Sequence, residues 1–113
     1  MHSPLTPLER EATAAYKDRL AGTLGDCLSR IILFGSRARG EGHEESDLDL
    51  AVVVRGDESK AFEAARNLSV ALNLEYDYGV RISPLVLSEE RLQDLHQREL
   101  AIGRAILDEG IPL

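Results

Sequence analysis

The stretch of sequence that decides the fold is LFGSRARGEGHEESDLDLAVVV, Leu33 to Val54. It contains two apolar runs joined by a polar segment that begins with Gly35 and Ser36. Asp47 and Asp49 stand at the start of the second apolar run. Charged side chains at the entry of a strand built to be buried cost free energy unless they have a partner. The stretch therefore indicates a functional site as well as two strands of a sheet.

The second apolar run predicts a strand whose two aspartates share one face. Alternate residues of a strand point to the same side, so Asp47 and Asp49 lie about 6–7 Å apart there, with Leu48 and Leu50 on the other face. Carboxylates this close raise each other's pKa unless a cation lies between them. Oxygen ligands at this spacing suit Mg²⁺ or Mn²⁺, with water and substrate phosphate as further ligands. We therefore predict a divalent metal site at Asp47 and Asp49, with a solvated strand end as the alternative.

The segment before the aspartates predicts a phosphate-binding turn. Gly35 ends a strand and Ser36 begins a short helical turn, where backbone N–H groups and a hydroxyl can hold phosphate oxygens. Arg37 and Arg39 add positive charge, and we expect one to contact phosphate and the other to pair with an acid. Such a turn beside a metal site is the arrangement that nucleotidyl or phosphoryl transfer needs. A Ser36 that merely caps the turn is the alternative.

Local signals predict alternating helices and strands along the rest of the chain. Thr6, Pro7 and Glu9 form a helix start with a capping box, and Gly25 is expected to end that helix. Pro84 cannot donate to a sheet ladder, so its strand is expected at the edge of the sheet or bulged there. The predicted elements are helices over 7–24, 57–76 and 89–110 and strands over 29–35, 46–55 and 78–88.

The last predicted helix begins after Ser88 as its N-cap, is broken near His96 and ends at Gly110 as its C′ residue. No repeats, low-complexity tracts or linkers interrupt the sequence. The 113 residues therefore indicate one domain of the α/β or α+β class, long enough for a single core.

Composition narrows the classes of function. The net charge of −7 argues against a binder of long nucleic acid, which needs a basic surface, and permits a metal cofactor or a basic protein partner. Cys27 is the single cysteine, which rules out an intrachain disulfide and suits the cytoplasm. Charged residues throughout the first twenty positions argue against a signal peptide or a membrane span.

"GSRARG" followed by "SDLDLAVVV" resembles the Gly-Ser…Asp-x-Asp signature of the DNA polymerase beta-like nucleotidyltransferase superfamily. The chain looks most like the smallest members, the minimal nucleotidyltransferases. The resemblance implies one such domain over residues 1–113, with a mixed β-sheet of three or more strands and helices packed mainly on one face. It also implies that Gly35 and Ser36 hold the terminal phosphates of the nucleotide and that Asp47 and Asp49 ligate Mg²⁺. Arg39 is expected to assist in binding phosphate.

Members of this family commonly occur in toxin–antitoxin modules beside a helical HEPN ribonuclease. The minimal nucleotidyltransferase is the antitoxin there and can transfer AMP from ATP to a tyrosine of the toxin. The resemblance thus implies a Mg²⁺-dependent enzyme with ATP as donor and a HEPN toxin as partner. One alternative is a catalytically weak antitoxin that blocks the ribonuclease by direct binding. Transfer to a small molecule such as an aminoglycoside is less favoured for so short a chain, and a homo-oligomer is left open.

One feature of the family pattern is missing. Active members usually carry a third acidic residue on the next strand, facing the first two, where it can activate the attacking hydroxyl. The expected position falls near Ser83 or Pro84, and no Asp or Glu occurs between Val80 and Leu87. Asp77 and Glu75 are expected in a loop before this strand. The loop acids Glu44 and Glu45 are less favoured as substitutes, because a flexible loop holds geometry poorly. The absence predicts slow transfer or nucleotide binding without turnover.

Overall fold

The two apolar runs of the central stretch form neighbouring antiparallel strands, β1 (Leu28–Phe34) and β2 (Leu48–Val54). The computed structural model describes residues 4–41, 47–71 and 73–113, without the side chains of residues 69 and 70. The other elements are α1 (Pro7–Leu24), a 3₁₀ turn (Gly25–Cys27), α2 (Glu58–Ala71), α3 (Leu74–Tyr78), β3 (Ile82–Ser88), α4 (Glu89–Gln97), α5 (Ala101–Leu107) and β4 (Ile111–Pro112).

The sheet is mixed, as predicted. Its strand order is β3-β2-β1-β4, with β3 parallel to β2 and the other two neighbouring pairs antiparallel. Pro84 lies in β3, which is an edge strand, so the prediction from proline is confirmed. The carbonyl of Arg81 accepts a hydrogen bond from the amide of Leu48 at 2.9 Å. Because successive residues of a strand direct their amides to opposite sides, the nitrogen of Pro84 faces the open edge.

Helices cover both faces of the sheet, with most of the helical residues on one. The first face packs against α1, α2 and α3, through side chains such as Tyr16 and Leu68. The second face packs against the shorter α4 and α5, through Leu92 and Ile106. The two longest helices thus lie on the first face, which agrees with the expectation of helices mainly on one face. Within the described residues, none of the helices combines the length and apolarity that a membrane span requires.

The predicted start of α1 is confirmed by its hydrogen bonds. The Thr6 hydroxyl accepts from the Glu9 amide at 3.2 Å, and the Glu9 carboxylate accepts from the Thr6 amide at 2.8 Å. The helix ends at Leu24, and Gly25 follows as the predicted cap, with a φ of +56° that residues with a side chain rarely adopt. Ser88 is likewise the N-cap of α4, where its hydroxyl accepts from the amide of Arg91 at 3.1 Å.

The structure divides two of the predicted helices. The helix expected over 57–76 ends at Ala71, and α3 starts anew after Asn73, whose φ is +51°. The predicted break near His96 is confirmed, since α4 ends one residue later and α5 begins at Ala101. The loop assignment for Glu75 and Asp77 was wrong, because both residues lie in α3.

Gly110 has a different role from the predicted one. Helix α5 ends at Leu107 and is capped by Asp108, so Gly110 is not its C′ residue. A Cβ atom at this position would collide with the carbonyl oxygen of Ile106 and the side chain of Ile32. Glycine is therefore required where the chain passes close to β1 before forming β4, a two-residue strand that is too short to show a pattern in the sequence.

Candidate functional site

The strand register places the two aspartates at the end of the sheet where β1 ends and the turn begins. Asp49 lies opposite Phe34 of β1 and beside Ser83 of β3. Asp47 directly precedes β2 and is exposed, whereas Asp49 is half-buried. Leu48 belongs to the core on the first face, and Asp49 points to the second. The structure therefore confirms that carboxylates and leucines alternate between the two faces of the sheet.

Gly35 brings the turn into contact with Asp49. Its φ is +80°, and a Cβ atom built on it would lie 2.6 Å from Oδ2 of Asp49. Any side chain at Gly35 would thus displace the carboxylate as well as strain the backbone. The predicted phosphate-binding turn and the predicted metal site are consequently neighbours in space.

The segment that follows Gly35 is a hydrogen-bonded turn and not a regular helix. The Arg39 amide donates to the Gly35 carbonyl at 3.3 Å, and the Glu41 amide donates to the Ser36 carbonyl at 2.9 Å. The first N–H groups of such a turn have no partner within the turn itself. Ser36 is half-buried at this position. The turn thus offers a hydroxyl and backbone amides as candidate phosphate ligands, and its first residue, Gly35, lies against Asp49.

The two arginines of the turn have different surroundings. Arg37 is buried and forms an ion pair with Glu9 of α1. Arg39 is exposed, with its Nε 3.0 Å from a carboxylate oxygen of Glu41 and its Nη1 3.9 Å from one of Glu109. Arg37 is thus the arginine held by a buried acid. Arg39 stays the candidate for phosphate, since its surface partners are exposed and give way at little cost.

The electrostatics at the aspartates favour a cation. Burial, and secondarily the charge of Asp47, raise the pKa of Asp49 above its usual value. On the other side, Nε of Arg81 lies 3.2 Å from Oδ1 of Asp47, with both side chains more than half exposed. Sequence reasoning missed Arg81. The contact follows from the strand register, in which Ile82 beside Leu48 puts the preceding residues of the two strands together, and no sequence pattern reveals that register.

The donor set fits a divalent metal that retains water and substrate ligands. Asp47 and Asp49 offer hard oxygen atoms, and Mg²⁺ is usually held by one or two carboxylates together with substrate phosphates. Within residues 4–41, 47–71 and 73–113, no group of three or more His, Cys, Asp or Glu side chains could enclose a metal. Glu44 and Glu45, considered above as substitutes for the third acid, lie outside the described residues.

Comparison with known proteins places the chain in a family. The model of the nucleotidyltransferase domain matches residues 19–106. The chain belongs to this family. Two relatives from Methanocaldococcus jannaschii carry the names "Putative protein adenylyltransferase MJ0604" and "Putative protein adenylyltransferase MJ0141". The first is 36% identical over 104 residues, covering 90% of this chain and 94% of that protein. The second is 34% identical over 76 residues, covering 67% of this chain and 76% of that protein.

Solved structures agree with the assignment. One described as "Structure of putative minimal nucleotidyltransferase" is 31% identical, with a TM-score of 0.52, and the match covers 91% of this chain and 94% of that one. One described as a toxin–antitoxin with AMP-PNP has a TM-score of 0.53 at 22% identity, covering 87% of this chain and 69% of that one, which shows a shared fold. The predicted family and fold class are therefore confirmed.

The strand register also shows which of the two positions expected for a third acid lies beside Asp49. Ser83 is the β3 residue directly beside Asp49, while Pro84 is beside Leu50 on the other face. Of the two positions expected from the sequence, Ser83 is the one that shares a face with Asp49. An open cavity of about 530 Å³ lies next to it, lined by Asp47, Arg81 and Ser83 and also by Glu75. Glu75 is thus the acid of α3 that shares this cavity with Asp47.

Proposed function

We propose that this nucleotidyltransferase transfers AMP from ATP to a hydroxyl group of a partner protein. The observation that carries the proposal is the contact between Gly35 and Asp49, which joins a turn suited to phosphate with a carboxylate pair suited to Mg²⁺ or Mn²⁺. In the reaction, the acceptor oxygen forms a bond to the α-phosphorus of ATP while the bond to pyrophosphate breaks. The acceptor proton leaves to a base or to water.

Each residue of the site has one task in this scheme. The amides and hydroxyl at Gly35 and Ser36 hold the β- and γ-phosphates, and Arg39 adds a positive charge beside them. Asp47 and Asp49 hold the metal ion. When bound, Mg²⁺ neutralises the charge that develops on the phosphate oxygens and aligns them for displacement. The half-buried position of Asp49 strengthens its interaction with a cation, because fewer water molecules screen the charge there.

The acceptor is proposed to be a tyrosine of a HEPN toxin. The names of both relatives describe protein adenylyltransferases, and the toxin–antitoxin structure shares the fold. The net charge of −7 is suited to a basic protein partner in the cytoplasm. Because Ser83 offers no carboxylate to take the acceptor proton, the transfer is expected to be slow.

A second candidate function follows from Ser83. A nucleotidyltransferase without the third acid can act as an antitoxin by binding the HEPN ribonuclease, with nucleotide bound but not turned over. This candidate predicts that the ribonuclease is inhibited in the absence of ATP. The first predicts that inhibition requires ATP and leaves AMP on the toxin.

The experiment is incubation of the purified protein with α-labelled ATP and Mg²⁺, with and without the HEPN partner. Label on the partner that is lost in the variant Asp47→Asn/Asp49→Asn supports the transferase. The matched control is Asp18→Asn/Asp26→Asn, which removes two exposed carboxylates elsewhere and should keep full transfer. No label together with a complex that inhibits the ribonuclease supports the second function. Label that persists in the first variant contradicts the assigned site.

A further inference from the structure

A buried ion pair connects the phosphate-binding turn to helix α1. Arg37 and Glu9 are each only 4% exposed. Nη1 of Arg37 donates to Oε2 of Glu9 at 2.7 Å, and Nη2 donates to Oε1, so the two side chains meet through two parallel bonds. Nη2 also donates to the carbonyl of Pro4 at 3.3 Å. Such a pair is geometrically specific, because a guanidinium fork matches a carboxylate in one orientation.

The ion pair shares its carboxylate with the capping box of α1. Oε1 of Glu9 accepts from the amide of Thr6 at 2.8 Å as well as from Arg37. Burial raises the pKa of Glu9, but the hydrogen bonds from Arg37 and Thr6 outweigh it, and the pKa lies below its usual value. Glu9 therefore stays ionised at neutral pH. The carboxylate is held from both sides, by the start of a well-packed helix and by the arginine.

The position of Arg37 allows this ion pair to fix the conformation of the turn next to Ser36. Arg37 directly follows Ser36, in a turn that begins and ends with glycines. A glycine-rich turn has many accessible conformations, and fixing its amides for phosphate costs conformational entropy on binding. A buried ion pair in the middle of the turn removes that freedom before the nucleotide arrives. Stability alone is a weak reason for such a pair, since apolar replacements of similar volume often stabilise a fold as well.

We propose that Glu9 is a positioning residue of the nucleotide site, which acts through Arg37 to hold the Gly35–Ser36 turn in its phosphate-binding conformation. The proposal rests on the proposed function, since it assumes that this turn binds ATP. Glu9 itself touches no nucleotide. Its loss is expected to weaken nucleotide affinity while leaving Asp47 and Asp49 in place.

The test is the affinity of the purified chain for a fluorescent ATP analogue in the presence of Mg²⁺, with thermal unfolding measured in parallel. We expect Glu9→Gln to weaken the affinity at least tenfold. The matched control is Glu89→Gln, because Glu89 forms the same two-bond pair with Arg30, at 2.9 and 3.0 Å, on another part of the surface. The control should leave the affinity unchanged.

The variant Glu9→Leu/Arg37→Met distinguishes a purely structural role from positioning. Its apolar side chains can replace the stabilisation that the ion pair gives to the fold, but not the orientation that the ion pair imposes on the turn. If the pair only stabilises the fold, this variant keeps its unfolding temperature and its nucleotide affinity. If the pair positions the turn, the unfolding temperature is kept and the affinity falls. Should this variant fail to fold, Arg37→Lys keeps the charge but gives up the fork. Weaker binding by Arg37→Lys than by Glu89→Gln then supports the proposal, and equal binding overturns it.

The same assay distinguishes this proposal from the proposed function. If the wild-type chain does not bind the analogue, or if Asp47→Asn/Asp49→Asn binds it as tightly as wild type, the proposed function fails. If that variant loses binding while Glu9→Gln binds normally, the proposed function stands and the positioning role of Glu9 is overturned.

Discussion

Gly35 and Asp49 touch across the β1–β2 pair, such that a Cβ atom at Gly35 would lie 2.6 Å from Oδ2 of Asp49. We predict that Gly35→Ala weakens Mg²⁺-dependent nucleotide binding at least tenfold, because the added methyl group displaces the carboxylate. The positive φ of +80° adds a destabilisation of about 1–2 kcal/mol. Both effects can be measured on one preparation, by titration with the fluorescent analogue and by urea unfolding.

The control for this prediction is Gly56→Ala. Gly56 has a φ of +91°, with no atom within 4 Å of its would-be Cβ atom, so alanine there meets the same backbone strain without a collision. We expect the control to lose stability and to bind nucleotide like wild type. Equal affinities of Gly35→Ala and Gly56→Ala would contradict the contact between the turn and Asp49.

Arg81 is expected to compete with the metal ion for Asp47. Its Nε lies 3.2 Å from Oδ1 of Asp47, an oxygen atom that a bound metal ion would need as a ligand. Exposed ion pairs contribute at most about 1 kcal/mol, so Arg81→Ala should tighten Mn²⁺ binding by about two- to fivefold. Electron paramagnetic resonance of free Mn²⁺ measures the affinity without any nucleotide.

Removal of a positive charge elsewhere controls for the general field of the protein. Arg91 is similarly exposed and pairs with Glu58 at 2.8 Å, so Arg91→Ala removes the same charge away from the aspartates. A tighter Mn²⁺ affinity in both variants would show a field effect. The local competition requires that only Arg81→Ala changes the affinity.

The features that were predicted correctly depend on chemistry within a few residues. The capping box of Thr6 and Glu9 is such a feature, because the two residues are one helical turn apart. The edge position of Pro84 follows from its missing amide hydrogen. The Asp-x-Asp pair and the Gly-Ser turn are likewise short patterns. The structure places them next to each other, and their roles in binding metal and phosphate stay predictions.

The contacts that were missed join residues distant in the sequence. Arg37 reaches Glu9, and Arg81 reaches Asp47, only once the strands are paired and α1 is packed on the sheet. No local pattern encodes such contacts, since they depend on strand register and on how a helix packs against the sheet. Local patterns accordingly indicated which residues to consider for the site, but not the long-range partners of those residues.

Glu89 is expected to make the stability of the fold sensitive to acid. Burial raises its pKa, but the hydrogen bonds from Arg30 and Ser29 lower it more, so the pKa lies below its usual value. A carboxylate with a lowered pKa in the folded state stabilises the fold above its unfolded pKa and loses that contribution as the pH falls through the folded pKa. Glu89→Gln should therefore lower the free energy of unfolding at neutral pH by about 0.5–1 kcal/mol, a range reduced for the exposure of the pair.

The measurement is urea unfolding of wild type and Glu89→Gln at neutral pH and at a pH below the folded pKa of the carboxylate. The difference between the two proteins should vanish at the lower pH. Glu90→Gln is the control, because Glu90 is exposed and carries the same charge in the first turn of the same helix. A pH-independent difference for Glu89→Gln would mean that the charge of Glu89 contributes nothing to stability.

Alanine is expected to have opposite effects on the free energy of unfolding at two helical glycines, because α4 packs closely against one of them and no atom lies near the other. A Cβ atom at Gly103 of α5 would lie 2.7 Å from the backbone nitrogen of His96 in α4, and backbone atoms cannot move aside as a flexible side chain can. Gly103→Ala should therefore lower the free energy of unfolding by about 1–3 kcal/mol. Gly22 of α1 is exposed with no atom within 4 Å, so Gly22→Ala should raise it by about 0.5–1 kcal/mol through helix propensity. Thermal unfolding of both variants distinguishes the signs, and stabilisation by Gly103→Ala would show that the two helices are farther apart than the structure places them.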